Sequence, residues 1–169
     1  MTSLEQIILE KTFEVSTNLS LEPTWSHRVE RWFQLDTEGI AICKALEEWI
    51  RRSEIYKFPD LIIHSSFSGS HLADFNFARS GADSPTKFVY TLPNVIIGVM
   101  AQFLNWQGPS FNFTGEKSWD NSEQFAELWL KSSPKNNSVL IVSVDVQKEN
   151  DQYRNVRFKQ IQKNHGDLT

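Results

Sequence analysis

The sequence predicts an α/β fold, a layered mixed β-sheet flanked by helices. Three stretches carry that prediction. Residues 88–113 read as a short β-prone run, an apolar helix over residues 95–104, and a second strand from Ser110 to Phe113. Residues 139–146 open with Val139, Leu140, Ile141 and Val142 in unbroken apolar sequence, the pattern of a central strand covered on both faces. Between Asp36 and Arg52, Ile42, Leu46, Trp49 and Ile50 recur at helical spacing, with Glu47, Glu48, Arg51 and Arg52 on the water side.

The remaining elements follow in order. Ile7, Leu9, Phe13 and Val15 stand two or four apart, which suits a strand with one covered face. Residues 16–23 are turn-rich. Residues 25–33 read as an exposed connection, with Arg28 and Arg31 placed to hold an anion as the other possibility. The helix over residues 36–52 starts at Asp36 or Thr37, and its arginines suit the negative C-terminal end. Cys43 lies mid-helix among apolar neighbours, so it reads as packing; a nucleophilic thiol needs a helix start or a nearby cation. After Pro59, residues 61–64 form a short buried strand.

Residues 64–71 read as a serine-rich loop holding His64, Ser66, Ser68 and His71. They invite a hydrolytic or acyl-transfer reading. The loop has one glycine, however, and a nucleophile elbow needs Gly-x-Ser-x-Gly. Two histidines without a third ligand at a recognisable spacing do not make a metal site, and no cofactor pattern is present. Residues 74–87 read as irregular, broken by Gly81 and Pro85.

Pro93 then ends the β-prone run, and the Asn94 side chain is placed to cap the helix that follows. Only Gln102 is polar in that helix, so it is expected to be buried on all sides, and it is too short to span a bilayer. Asp120 with Glu123 reads as a capping box. Phe125, Leu128, Trp129 and Ser132 mark the buried face of the next helix, and Pro134 stops it. A last strand over residues 153–161 puts Val156 and Phe158 on one face. Arg154, Arg157, Lys159 and Lys163 form the basic cluster of the chain, read as a solvated face, the alternative being a docking patch for an acidic partner.

Composition narrows the partners. With 40% hydrophobic and 12% aromatic residues the 169-residue chain is globular, and its length suits one domain over residues 1–169. A net charge of −4 argues against nucleic acid, whose phosphates demand a clustered positive field. No basic start followed by an apolar run marks a leader. A single cysteine allows no internal disulfide, so a cytoplasmic location is expected.

One ordered set of residues is more specific. Thr91-Leu92-Pro93-Asn94, an apolar helix containing Gly98 and Ala101, and then Gly108-Pro109-Ser110 resemble the β-ketoacyl synthase family of the thiolase-like fold. Weaker likeness extends over residues 35–52, 60–70 and 139–146, and covers most of this chain but only the N-terminal half of a family enzyme. In that family the Gly-Pro-Ser passage leads to a nucleophilic cysteine within Thr-Ala-Cys. Here Gly115-Glu116-Lys117 stands in that place, and no cysteine follows Cys43. Lys117 sits beside Glu116 and Asp120, which favour its charged form, so it reads as an inert surface lysine. The family's basic catalytic residues belong to the second half of its fold.

The resemblance thus implies a degenerate, non-catalytic relative. The parent fold buries helices between two similar halves, so a lone half is expected to expose apolar surface. Covering it calls for a homodimer, or a heterodimer with a full-length ketosynthase, in a fatty-acid, polyene or polyketide pathway. Asn94, Gly108, Pro109, Ser110, His64, Ser68 and His71 are the candidate binding residues. Two other readings remain: an acyl-thioester transferase or hydrolase using the 64–71 loop, and a module that binds an acyl group or an acyl carrier protein through the basic tail.

Overall fold

The computed structural model describes residues 8–16, 23–52, 59–67, 69, 71–79, 81, 92, 94–145 and 153–163. Within them, five strands form one mixed sheet: β1 (Ile8–Ser16), β2 (Leu61–Ser66), β3 (Ser110–Thr114), β4 (Ser138–Asp145) and β5 (Tyr153–Gln162), in the order β1-β5-β4-β2-β3. β2 runs parallel to both β3 and β4, while β5 is antiparallel to β4 and β1. Among the described residues four α-helices accompany the sheet: α1 (Thr37–Arg52), α2 (His71–Arg79), α3 (Val95–Leu104) and α4 (Ser118–Ser132).

The alternation of side chains along β4 shows why its apolar run is continuous. Leu140, Val142 and Val144 join Ile62, Val156 and Phe158 beneath α1 and α3, whereas Val139 and Ile141 join Leu61, Ile63 and Ile161 beneath α4. Trp49 of α1 stacks on Phe158 at 6.0 Å between ring centres. Helices therefore cover both faces, the layered α/β arrangement the sequence predicts.

The Asp36 carboxylate accepts a hydrogen bond from the Gly39 amide at 2.8 Å, fixing the start of α1. Cys43 is fully buried in that helix, and burial pushes its thiol well up. Several local expectations are overturned. Residues 25–33 are not a simple exposed connection: they form two single-turn 3-10 helices (Ser26–Arg28 and Trp32–Gln34) and drive Trp25 and Val29 into the core. Arg28 lies 5.3 Å from the centre of the Phe103 ring, a cation–π contact rather than an anion site. Residues 71–79, read partly as irregular, are helix α2. The β-prone run over residues 88–90 lies outside the described residues.

Two helix expectations fail for identifiable reasons. α3 is not buried on all sides, because Gly98 and Gln102 are exposed in line with Asn94 and Asn105. Gly98 has open space where a side chain would be, so an apolar composition here reflects small size as much as burial. In α4 the buried positions are Ser118, Ser122, Ala126 and Leu130, every fourth residue. Close approach to the sheet selects these mostly small residues. The larger Phe125 and Trp129 flank the contact half-buried, Ser132 is exposed, and Leu128 is 67% exposed.

Candidate functional site

The parallel strands β2 and β3 end side by side, and the chemistry-bearing residues gather there. The Gly115 amide donates to the carbonyls of Ser66 and Phe67 at 3.1 and 3.2 Å, joining the end of β2 to the turn before α4. Gly115 makes that turn at φ 107°, a conformation that favours glycine. Lys117 follows it, exposed, immediately before α4, with no side-chain cap on the helix. The expected capping box is absent: α4 begins at Ser118, so Asp120 and Glu123 lie inside it.

His64, Ser65 and Ser66 belong to β2 rather than to a loop, and all three are buried. His64 Nδ1 lies 2.8 Å from Asn112 Oδ1 on the adjacent strand, its partner in register. A carbonyl oxygen only accepts, so Nδ1 carries the proton and Nε2 presents a bare lone pair. That nitrogen is buried with no hydrogen-bond partner. Burial drives the imidazole down to about 4, the Asn112 contact opposing it. His64 is therefore a neutral, interior side chain.

Ser66 Oγ accepts from the Gly69 amide at 2.9 Å and reaches the Gly69 carbonyl at 3.3 Å. It is the clasp of a tight turn, not a nucleophile held by a base. Its neighbour Ser65 is buried without a partner, and Ser68 lies outside the described residues. His71 is the first residue of α2. No serine–histidine hydrogen bond and no cluster of three metal-ligating side chains occurs among the described residues.

The Gly108-Pro109-Ser110 passage is exposed and shapes the entry to β3. A methyl group on Gly108 would fall 2.0 Å from an atom of the Trp106 ring, so that glycine admits the indole across the chain. Asn94, expected to cap α3, makes no side-chain cap bond and is exposed. Its carbonyl accepts the Gly98 amide instead. Sequence reasoning missed Asn112, although its place between Phe111 and Phe113 signals a polar residue on the face opposite the two rings.

The basic cluster also changes meaning. Arg157 lies 4.8 Å from the centre of the Trp119 ring, Lys159 Nζ donates to Glu123 at 2.6 Å, and Lys163 Nζ donates to the Ser133 carbonyl at 2.6 Å. The Trp119 indole donates to the same Glu123 carboxylate at 2.8 Å. These three cations tie β5 to α4 and its end, so they form neither a solvated face nor a free docking patch; the side chain of Arg154, the fourth member of the cluster, lies outside the described residues.

No protein-family model matches this sequence, and no curated protein matches it. Solved structures do. The chain is similar, at 16% identity and a TM-score of 0.62, to a chain of the ketosynthase ApeO in complex with its chain length factor ApeC from Xenorhabdus doucetiae. That match covers 97% of this chain and 81% of the other. It is also similar to the ishigamide ketosynthase/chain length factor, at 12% identity and a TM-score of 0.59, over 85% of this chain and 46% of that one. The fold is that of the ketosynthases and chain length factors, and this chain spans about half the length of the second structure.

Proposed function

We propose that this chain is a non-catalytic ketosynthase-like protein that pairs with itself or with a full-length ketosynthase in a fatty-acid, polyene or polyketide pathway. One observation carries the reading. Where the resembling family holds its thiol, before the helix that follows Gly-Pro-Ser, this chain presents the exposed ammonium of Lys117. Its single thiol is locked inside α1. A condensing enzyme must carry its acyl group covalently, and neither residue is suited to that task. The similarity to structures of ketosynthases with chain length factors supports a partner's role. A cytoplasmic location accords with a lone buried cysteine, and no helix among the described residues is long and apolar enough to cross a membrane.

The two other readings have less behind them. Ser66 is committed to Gly69 and His64 to Asn112, which leaves a hydrolase without a nucleophile–base pair among the described residues. Carrier-protein docking through the tail lacks free cations at Arg157, Lys159 and Lys163.

The test has two arms. Intact-mass measurement after incubation with acyl thioesters should show no covalent adduct, and no condensation product should form. Mixing with a ketosynthase, or sizing the chain alone, should show a complex. Turnover that Lys117→Ala or His64→Gln abolishes, or a monomer that binds no ketosynthase, overturns the proposal.

A further inference from the structure

β2 and β3 are neighbours with opposite surroundings. Every residue of β2 is buried, whereas none of β3 is: Ser110, Phe111 and Thr114 are exposed, Asn112 and Phe113 half-buried. Among the described residues β3 pairs with β2 alone, and its two rings rest on Phe125 of α4 at 4.7 and 5.5 Å between centres. Releasing β3 leaves β1, β5, β4 and β2 joined. A segment that hides so little apolar surface opens at a fraction of the cost of unfolding the domain.

Such a release uncovers His64. The Ile62 amide donates to the Pro109 carbonyl, and the Gly115 amide donates to the Ser66 carbonyl. With a period of two, Ile62, His64 and Ser66 turn their backbone groups to β3, while Leu61, Ile63 and Ser65 turn theirs to β4. His64 therefore meets β3 through its main chain and also through Nδ1, which donates to Asn112 Oδ1 at 2.8 Å.

The other ring nitrogen makes that contact conditional. Nε2 is buried without a partner, so a proton there would create a charged N–H with nothing to receive it. No neighbouring element offers a counter-charge. α3 has no ionisable side chain from Val95 to Leu104, β3 has none, and the residue opposite on β4 is Val142. Glu38 and Cys43, the buried ionisable groups of α1, belong to a helix that covers β1, β4 and β5. α4 lies on the opposite face of the sheet.

We propose that His64 and Asn112 form an acid-sensitive latch: protonation of His64 at Nε2 releases β3 from β2 while the rest of the sheet stays folded. The proton comes from water that reaches the imidazole once the strand parts, and the open form keeps the cation hydrated. Burial holds the closed imidazole down at about 4, against 6.5 in water, so linkage favours the open strand about thirtyfold more at pH 5 than at pH 7.5. The latch goes beyond the pairing role and stands or falls without it.

Native-state hydrogen exchange reads the latch, each rate taken relative to the intrinsic rate of that amide at the same pH. The Phe111, Phe113 and Gly115 amides are the ones that face β2. Their protection should be lower than that of the β4 amides and indifferent to urea below about 1 M, because little surface opens. It should fall about thirtyfold from pH 7.5 to pH 5. His64→Gln still donates to Asn112 but takes up no proton, so its protection at these amides should change by less than about threefold over the same range. Three results overturn the proposal. If the three amides share the protection and urea dependence of β4, β3 opens only with the whole fold. If they open locally but without pH dependence, His64 does not govern the opening. If His64→Gln shows the same fall, the proton binds elsewhere. Should that variant fail to fold, the native chain decides: protection at these amides must drop about tenfold per pH unit below pH 6, the slope of one proton, and a flat or two-proton slope refutes the latch.

Discussion

Acid should destabilise this protein through one side chain, His64. In the fold it is neutral because burial holds it down at about 4, while an unfolded histidine titrates near 6.5. Above pH 6.5 both states are neutral and the group has no effect on stability. As pH falls below 6.5 the unfolded chain takes up a proton that the folded chain refuses, so stability drops, levelling off only below the folded value near 4. Linkage over that window gives a loss of about 2 kcal/mol between pH 7.5 and pH 5, and about 3 kcal/mol by pH 4. That is a sizeable share of the ~5–15 kcal/mol that holds a domain of this kind together. Urea unfolding at pH 7.5 and pH 5.0 measures it directly. The control is His64→Gln, whose amide can still donate to Asn112 Oδ1 but does not titrate. Its pH dependence should be flatter than that of the native chain by about 2 kcal/mol. Equal slopes for the two proteins would mean that His64 is hydrated or paired in solution, and the buried-neutral account would be wrong.

Other expectations rest on separate contacts. Gly108→Ala puts a methyl group into the Trp106 ring and should cost about 1–3 kcal/mol in thermal or urea unfolding, typical of overpacking. Glu123→Ala strips Lys159 and the Trp119 indole of their shared acceptor; a loss of about 1–3 kcal/mol is expected, and a double-mutant cycle with Lys159→Ala should return a coupling that a surface pair would not show. Lys117→Ala should change stability by less than about 0.5 kcal/mol, as exposed positions usually do, checked in the same assay. Cys43 should resist a thiol reagent in the native protein and react only as fast as the chain opens, because burial both shields the thiol and disfavours its thiolate.

The legibility of the chain depended on the range of the interaction. α1 was readable to the residue, because its apolar stripe, its Asp36 cap and its terminal arginines are all local signals. β4 was readable for the same reason, its continuous apolar run requiring cover on both faces. α2 was missed because a short helix with two phenylalanines has little periodicity to detect. The buried face of α4 was misread because size stood in for burial: Ser118, Ser122 and Ala126 are buried by their closeness to the sheet, and Leu128 is not.

By itself the sequence determined the class of fold and carried the ketosynthase resemblance, on which the proposed place of Lys117 rests, since each is a matter of which residue follows which. Only the tertiary structure decided what the polar residues do. His64 meets Asn112 across 48 positions and Lys159 meets Glu123 across 36, and both are settled by strand order and register. Burial gives those contacts their energy: the same histidine in water would be an ordinary titrating base, and the same lysine a solvated charge.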